Sequence, residues 1–235
     1  ICYLESFPDL NKLVATLPWP KNPKFIFTSN NFAQDEVFKL WAATKTELGV
    51  KYFIGQHGNN YSTYRYLSPA IEETTADKFL TWGWTDCLPQ HVPALVLTAP
   101  NQKIDSYDPQ GGLLLVEVHL EHRFTTWDGT FEFANYFEDQ QRFVRKLECT
   151  PKRHLTIRLH SASKSFNWSE ESRWKAFDSS LKIDIGGSAI NKLIAQSRLV
   201  MHSYDSTGIL ETLSQNIPSL AFWQNGLDHV SDSAK

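Results

Sequence analysis

Residues 197–223 read SRLVMHSYDSTGILETLSQNIPSLAFW, and this stretch is the clearest indication of the fold class. An apolar run of strand length at 199–203 is followed by helical spacing at 207–215 and by a second apolar run at 219–223. A strand, a helix and a further strand in this order are typical of a βαβ unit with parallel strands. The stretch therefore predicts a parallel α/β fold.

The same alternation continues toward the N-terminus, which extends the α/β prediction to the whole chain. Asn30 or Asn31 is the candidate N-cap of the first helix, since both can accept a hydrogen bond from a first-turn amide. The predicted strands are 24–28, 50–55, 79–84, 113–119, 154–160 and 181–185, and the predicted helices are 32–48, 70–78, 136–147, 170–177 and 188–196.

Residues 87–109 contain four prolines and predict a linker. On this basis residues 1–109 are predicted to hold part of an N-terminal Rossmann-like domain plus the linker, and residues 110–235 a second Rossmann-like domain. Few strands precede the linker, so the first domain is expected to be incomplete at its N-terminus. We interpret the chain, which begins at Ile1, as a fragment of a longer protein.

Composition excludes several classes of protein. The 235 residues are 41% hydrophobic and carry a net charge of −3, which favours a folded globular protein and argues against nucleic-acid binding. No run approaches the roughly 18 apolar residues of a membrane span. Three widely spaced cysteines indicate neither a disulfide framework nor a Cys-x-x-Cys metal site, and favour a reducing, cytoplasmic environment.

The turn after the predicted strand 199–203 is the best candidate for anion binding. A helix that begins at Ser206, Thr207 and Gly208 would present unpaired N–H groups and about half a positive charge, which suits a diphosphate. Glu211 lies one turn further on, where its carboxylate could accept hydrogen bonds from two ribose hydroxyls. The alternative is an ordinary N-cap at Ser206 or Thr207 with no ligand.

His57 follows the predicted strand 50–55, and loops at the carboxyl ends of parallel strands commonly hold ligands. A histidine titrates near pH 6.5, so it can take a proton from a sugar hydroxyl at cytoplasmic pH. Gly58 would allow close approach of a ligand to the backbone. The alternative is a histidine that is hydrogen-bonded within a turn.

Two further loops follow predicted strands and carry cations. Arg123, His160 and Lys164 would complement the helix N-terminus at Ser206 as phosphate or sugar contacts. A metal site built on His119, Glu121 and His122 is not favoured, because the sequence indicates no further ligand. The motifs of P-loop enzymes, α/β-hydrolases and nicotinamide enzymes are absent.

Two features together resemble glycosyltransferases of the GT-B type: His57-Gly58 in the first half, and Asp205-Ser206-Thr207-Gly208 with Glu211 in the second. The segments Thr81-Trp82-Gly83-Trp84 and Tyr136-Phe137-Glu138-Asp139-Gln140, with 193–223, are also similar to a family of bacterial surface-carbohydrate transferases. The similarity covers most of residues 25–228.

This resemblance implies two Rossmann-like domains facing a cleft, and transfer of a sugar from a nucleotide-sugar to a surface-polysaccharide acceptor. The reaction would need no metal and no cofactor, and a lipid-linked acceptor would bring the cytoplasmic protein to the inner face of the membrane. His57 would be the catalytic base. The implied donor-binding residues are Ser206, Thr207, Gly208, Glu211, Arg123, His160 and Lys164, and the implied acceptor-binding residues are Asn59, Asn60, Tyr61 and Arg65.

Three other functions remain open from the sequence. A GT-B-like sugar-nucleotide 2-epimerase would use the same two-domain arrangement without an acceptor. Polymer glycerophosphotransferases also carry a His-Gly pair in a comparable place. A non-catalytic nucleotide- or carbohydrate-binding module would bind ligand and never turn it over.

Overall fold

The structure, a computed structural model, describes residues 2–66, 69–96, 107–118, 133–165, 169–223 and 226–235. It divides into two compact units near residue 100. Each unit contains one β-sheet, and every strand pairing between described residues is parallel. The predicted α/β class is confirmed.

The first unit has a four-stranded sheet in the order β1-β2-β3-β4. Ile26, Phe38 and Ala42 form a core between this sheet and its longest helix, and Ile54 and Phe79 continue it. The elements are α1 (Cys2–Glu5), α2 (Phe7–Thr16), β1 (Phe25–Thr28), α3 (Glu36–Glu47), β2 (Lys51–Gly55), α4 (Ile71–Thr75), β3 (Lys78–Thr81) and β4 (His91–Pro93).

The start of α3 differs from the prediction. Asp35 is the N-cap, and its side chain accepts a hydrogen bond of 2.9 Å from the N–H of Phe38. Asn30 and Asn31 belong instead to the turn after β1, where both backbone N–H groups donate to Thr28 Oγ1. Because the Thr28 hydroxyl binds these two amides, α3 begins at Glu36, four residues after the predicted start at residue 32.

Strand β4 lies inside the segment predicted as a linker, so the prediction that the linker begins at Cys87 is wrong. The buried side chain of His91 explains the strand, because its two ring nitrogens contact carboxylates on either side. Nδ1 lies 2.8 Å from Asp86 and Nε2 lies 3.2 Å from Glu73 of α4. The pair with Glu73 joins β4 to α4, and the pair with Asp86 joins β4 to the segment before it. The prolines at 89 and 93 do not reveal this arrangement.

The second unit has a five-stranded sheet in the order β7-β6-β5-β8-β9. Several predicted strands prove shorter, and the predicted strand 113–119 ends at Val116 because its ladder with β8 stops there. The elements are β5 (Gly112–Val116), α5 (Phe133–Lys146), α6 (Cys149–Arg153), β6 (Leu155–Arg158), α7 (Ala162–Ser165), α8 (Glu170–Phe177), β7 (Lys182–Asp184), α9 (Ile190–Ala195), β8 (Ser197–His202), α10 (Thr207–Ser214), β9 (Ser219–Ala221) and a short 3₁₀ helix (Asp232–Ala234).

Helices cover both faces of this sheet. The adjacent residues Leu114 and Leu115 of β5 are both fully buried and belong to different apolar clusters. Leu115 packs with Phe137 of α5 and Trp174 of α8, whereas Leu114 packs with Leu193 of α9. Burial on both faces is what a parallel sheet with βα crossovers requires.

Candidate functional site

The strand order of the second unit reverses at β5, whose neighbours are β6 on one side and β8 on the other. The strand that follows β5 in the chain, β6, and the strand that follows β8, β9, lie on opposite sides of this pair, so a crevice is expected at the carboxyl ends of β5 and β8. Ligands of open α/β sheets bind in such a crevice. We call this place, formed by residues 116–118 and 203–206, the switch point.

A chain of hydrogen bonds through Tyr136 of α5 joins the two sides of the switch point. The N–H of Val118 donates to Tyr136 Oη at 3.0 Å, and Tyr136 Oη lies 2.7 Å from Ser203 Oγ. Ser203 Oγ in turn donates to the carbonyl of Val116 at 3.1 Å. Burial raises the pKa of Tyr136 well above its ordinary value, so the phenol stays protonated. Because Ser203 Oγ already donates to Val116, the Tyr136 hydroxyl is the donor in its hydrogen bond with Ser203.

Tyr136→Phe is expected to lower the free energy of unfolding by about 1–3 kcal/mol, because it removes a buried hydroxyl and leaves the part-buried N–H of Val118 without its acceptor. Urea unfolding measures the change. The control is Tyr107→Phe, since the half-buried Tyr107 makes no side-chain hydrogen bond within the described residues. Equal effects of the two changes would mean that the Tyr136 hydroxyl does not hold the switch point together.

Helix α10 begins immediately after the switch point. Ser206 is its N-cap, and Ser206 Oγ accepts a hydrogen bond of 3.0 Å from the N–H of Gly208. The capping interpretation of this serine is therefore correct, and an anion at this helix start would share the Gly208 amide with Ser206 or displace it. Glu211 is the fifth helical residue, too far along the helix to complete a capping box with Ser206.

Ser206, Gly208 and Glu211 line one cavity of about 170 Å³. The cavity lies within the second unit, beside β8, and His202 forms part of its wall. Thr207 is the first residue of the same helix. The structure thus brings together four residues that the sequence predicted as a donor-binding group, and it adds a histidine.

The sequence alone does not indicate His202 as a site residue, because it is the last residue of an apolar strand. The available signal was a polar ring in the last position of the run SRLVMH, next to the predicted anion-binding turn. Burial lowers the pKa of His202 to about 4, so the imidazole is neutral near pH 7.

Asp205 ties the turn after β8 to the segment after β9. Its carboxylate accepts a hydrogen bond of 2.7 Å from the indole N–H of Trp223, and its other oxygen lies 3.0 Å from His229 Nε2. Asp205 therefore positions the turn, and Trp223 is held in place by it.

A second cavity of about 230 Å³ lies beside the same strand ends, on the side of α5. Ser203 and Trp223 line it together with Lys146, Asp139 and Arg142 of α5, and Arg142 is paired with Asp139 at 2.8 Å. The ion pair balances the charge of Arg142, and the aromatic face of Trp223 suits a planar group.

The other predicted donor contacts are less close to α10. His160 is exposed and follows β6, and β5 separates that strand from β8 in the sheet. The N–H of Ala162 donates to His160 Nδ1 at 3.2 Å. Lys164 belongs to α7, but its side chain is not described. Arg123 lies outside the described residues.

In the first unit, His57 lies in the loop directly after β2, as predicted, and its side chain is exposed. The loop is held by Gln56, which sequence reasoning missed. The Gln56 side chain is buried, donates to the carbonyl of Gly58 at 2.7 Å, and accepts from the Trp82 N–H and from Trp84 Nε1, each at 2.8 Å. A buried amide next to an exposed histidine indicates a loop built to hold that histidine in place.

The predicted acceptor-binding residues share this loop. The carbonyls of Asn59 and Asn60 accept hydrogen bonds from Thr63 and Tyr64. The Tyr61 hydroxyl donates to Glu72 of α4 at 2.6 Å, and burial raises its pKa above the ordinary value. Arg65 is exposed at the end of the loop. Asn59 and Tyr61 are thus largely engaged in the fold, whereas Asn60 and Arg65 are exposed.

No helix among the described residues is both long and apolar enough to cross a membrane. Within the same residues, no cluster of three or more histidine, cysteine or acidic side chains could hold a metal. His119, Glu121 and His122, the residues of the metal site that the sequence did not favour, lie outside the described residues.

No curated protein matches the chain. A protein-family model described as "LIC12162 family transferase" matches residues 1–235. Because the match spans the whole chain, the protein belongs to the LIC12162 family of transferases.

Proposed function

We propose that this transferase is a GT-B-type glycosyltransferase that moves a sugar from a nucleotide-sugar to a surface-polysaccharide acceptor without a metal. In this proposal both units are Rossmann-like domains, the second for the donor and the first for the acceptor. The observation that carries it is the cavity at the start of α10, where a helix N-terminus and the carboxylate of Glu211 meet at the carboxyl edge of a sheet whose strand order reverses.

The donor side of the proposal follows from electrostatics. The N-terminus of α10 carries partial positive charge, which stabilises a diphosphate and, more strongly, the extra charge that develops as it leaves. Glu211 lines the same cavity and is half-buried, in a place where it can accept hydrogen bonds from two ribose hydroxyls. Arg123, His160 and Lys164 are proposed as further contacts to the donor.

The acceptor side of the proposal rests on the loop after β2. The exposed imidazole of His57 removes the proton from an acceptor hydroxyl, whose oxygen then forms a bond to the anomeric carbon. The bond from that carbon to the diphosphate oxygen breaks, and the diphosphate leaves with the electron pair. Asn59, Asn60, Tyr61 and Arg65 are proposed to contact a carbohydrate acceptor, which is lipid-linked and lies at the inner face of the cytoplasmic membrane.

Nucleotide binding tests the donor site directly. UDP, GDP, CMP, CDP-glycerol and the matching nucleotide-sugars are each added to the chain, and its thermal unfolding is followed. A ligand at a hundredfold excess over its dissociation constant is expected to stabilise the fold by about 3 kcal/mol. Glu211→Ala is expected to abolish the shift, because it removes the acceptor of the ribose hydroxyls.

The control is Glu171→Ala, which removes an exposed carboxylate from α8 and should leave the shift intact. A shift with CDP-glycerol alone would favour transfer of a glycerophosphate group. If no nucleotide shifts the transition of the wild-type chain, the donor-site proposal is wrong.

A further inference from the structure

His202 is a buried polar residue whose ring has no hydrogen-bond partner in the part of the chain that the structure describes. Its ring is 2% exposed, and neither Nδ1 nor Nε2 has a partner among the described residues. Leaving a buried polar group unpaired destabilises a fold. Such a group at the end of β8, in the wall of a cavity, is suited to bind a ligand.

The cavity that His202 lines has the size and the lining of a site for a single ring. Its volume of about 170 Å³ compares with roughly 150 Å³ for a protein cavity that encloses benzene. Val116 and Ile194 supply apolar wall, and Gln215 contributes a second buried oxygen, Oε1, that has no partner within the described residues. Polar atoms of His202 and Gln215 therefore belong to the lining of one cavity.

The first turn of α10 is built around the histidine ring. A Cβ atom added to Gly208 would lie 2.9 Å from His202 Cε1, closer than real Cβ contacts, and 3.0 Å from Ser206 Oγ, which is unusually tight. A larger residue at position 208 would therefore have to displace the His202 ring or the Ser206 hydroxyl. The ring is therefore fixed next to the helix N-terminus.

The charge state of His202 restricts the chemistry of its partner. With a pKa of about 4 the imidazole is neutral, so one ring nitrogen donates a hydrogen bond and the other accepts one. A neutral imidazole suits a hydroxyl, which can do both, better than it suits a phosphate, which at neutral pH mainly accepts. Glu211, which lines the same cavity, is an acceptor for hydroxyl groups.

We propose that His202, with Glu211 and Gln215, binds an uncharged, hydroxyl-bearing sugar ring in this cavity. The inference rests on the proposed function, because the ring is either the ribose of a nucleotide or the sugar carried by the nucleotide. His202 is in this view a substrate-binding residue, and Gly208 is a glycine because the ring of His202 lies against it.

The test uses two variants of the full chain, His202→Leu and His202→Gln. His202→Leu removes the unpaired polar atoms at similar volume, so the melting temperature without ligand is expected to rise by a few degrees. The same change is expected to weaken binding about tenfold through the loss of a hydrogen bond to the ligand. His202→Gln keeps hydrogen-bonding atoms and is expected to recover most of the affinity.

The probes separate the two sources of the ring. UDP, GDP and CDP are titrated beside their 2′-deoxy counterparts and their nucleotide-sugars. If His202 binds the ribose, His202→Leu weakens the ribonucleotide and its nucleotide-sugar equally and the 2′-deoxy form less. If it binds the transferred sugar, the variant weakens only the nucleotide-sugar.

Two results would overturn the inference alone: a His202→Leu affinity within twofold of wild type for every probe that binds, or a lowered melting temperature in both variants. The first would mean that water fills the cavity, and the second that the ring is structural. A wild-type chain that binds no probe would overturn the proposed function and this inference together.

Discussion

Glu117→Gln is expected to remove a loss of stability that the wild-type chain undergoes as the pH rises toward 8. Glu117 directly follows β5, is buried, and accepts a hydrogen bond of 3.2 Å from the indole N–H of Trp174. Burial, with a smaller contribution from the nearby Glu170, raises the pKa of its carboxyl group to about 8. The folded chain therefore keeps this carboxyl protonated at neutral pH.

The direction of the effect follows from the two pKa values. In the unfolded chain Glu117 ionises near pH 4.5, whereas in the folded chain it stays protonated up to about pH 8. The folded state binds more protons in between, so the free energy of unfolding falls as the pH rises, by about 1 kcal/mol per pH unit. A glutamine side chain is neutral throughout and loses this dependence.

Urea unfolding between pH 6.5 and pH 8 measures the effect. Below pH 6.5 the buried His202 contributes the opposite slope, because its pKa is lowered to about 4 in the folded chain and protons favour the unfolded state. The control is Glu171→Gln, an exposed carboxylate on α8 that should leave the slope unchanged. Identical slopes for wild type and Glu117→Gln would show that Glu117 ionises normally in the folded chain.

His57→Ala is expected to lower turnover by about 10²–10⁴-fold and to leave nucleotide binding unchanged, because a general base contributes that much to a rate and contacts only the acceptor in the proposed reaction. The side chain is exposed, so its removal should not change stability. Single-turnover kinetics with the nucleotide-sugar that shifts the unfolding transition give the rate, and titration gives the dissociation constant.

The matched control is His154→Ala. His154 is an exposed histidine at the amino end of β6, away from the carboxyl ends of the strands. The turnover of His154→Ala should equal that of wild type. Equal losses of turnover and of nucleotide affinity in His57→Ala would mean that His57 has a structural role, and an unchanged rate would mean that another group takes the proton.

The fold class was predictable because burial on both sides of a parallel strand leaves a direct trace in the sequence. The apolar runs at 113–119 and 199–203 mark β5 and β8, and the helix predicted at 170–177 has the bounds of α8. Element ends were less predictable. Asp35 caps α3, whereas the amides of Asn30 and Asn31 donate to Thr28 Oγ1. Whether Thr28 can accept these hydrogen bonds depends on where β1 ends, which the sequence does not fix to the residue.

Part of the candidate site was predictable for a similar reason. A turn of small polar residues between a strand and a helix is local in sequence, so Ser206, Thr207, Gly208 and Glu211 could be grouped without a structure. His57 was placed after β2 by the same argument. Both groups lie at the carboxyl ends of parallel strands, where the connections open.

The sequence by itself determined that strands and helices alternate and that a helix begins at the Ser206 turn, since both depend on residues close together in the chain. Only the tertiary structure decided which side chains meet. Tyr136 reaches Ser203 across 67 positions, Glu117 reaches Trp174 across 57, and His91 joins Glu73. Such contacts depend on strand order and on the burial it creates, which also leaves His202 and Glu117 uncharged at neutral pH.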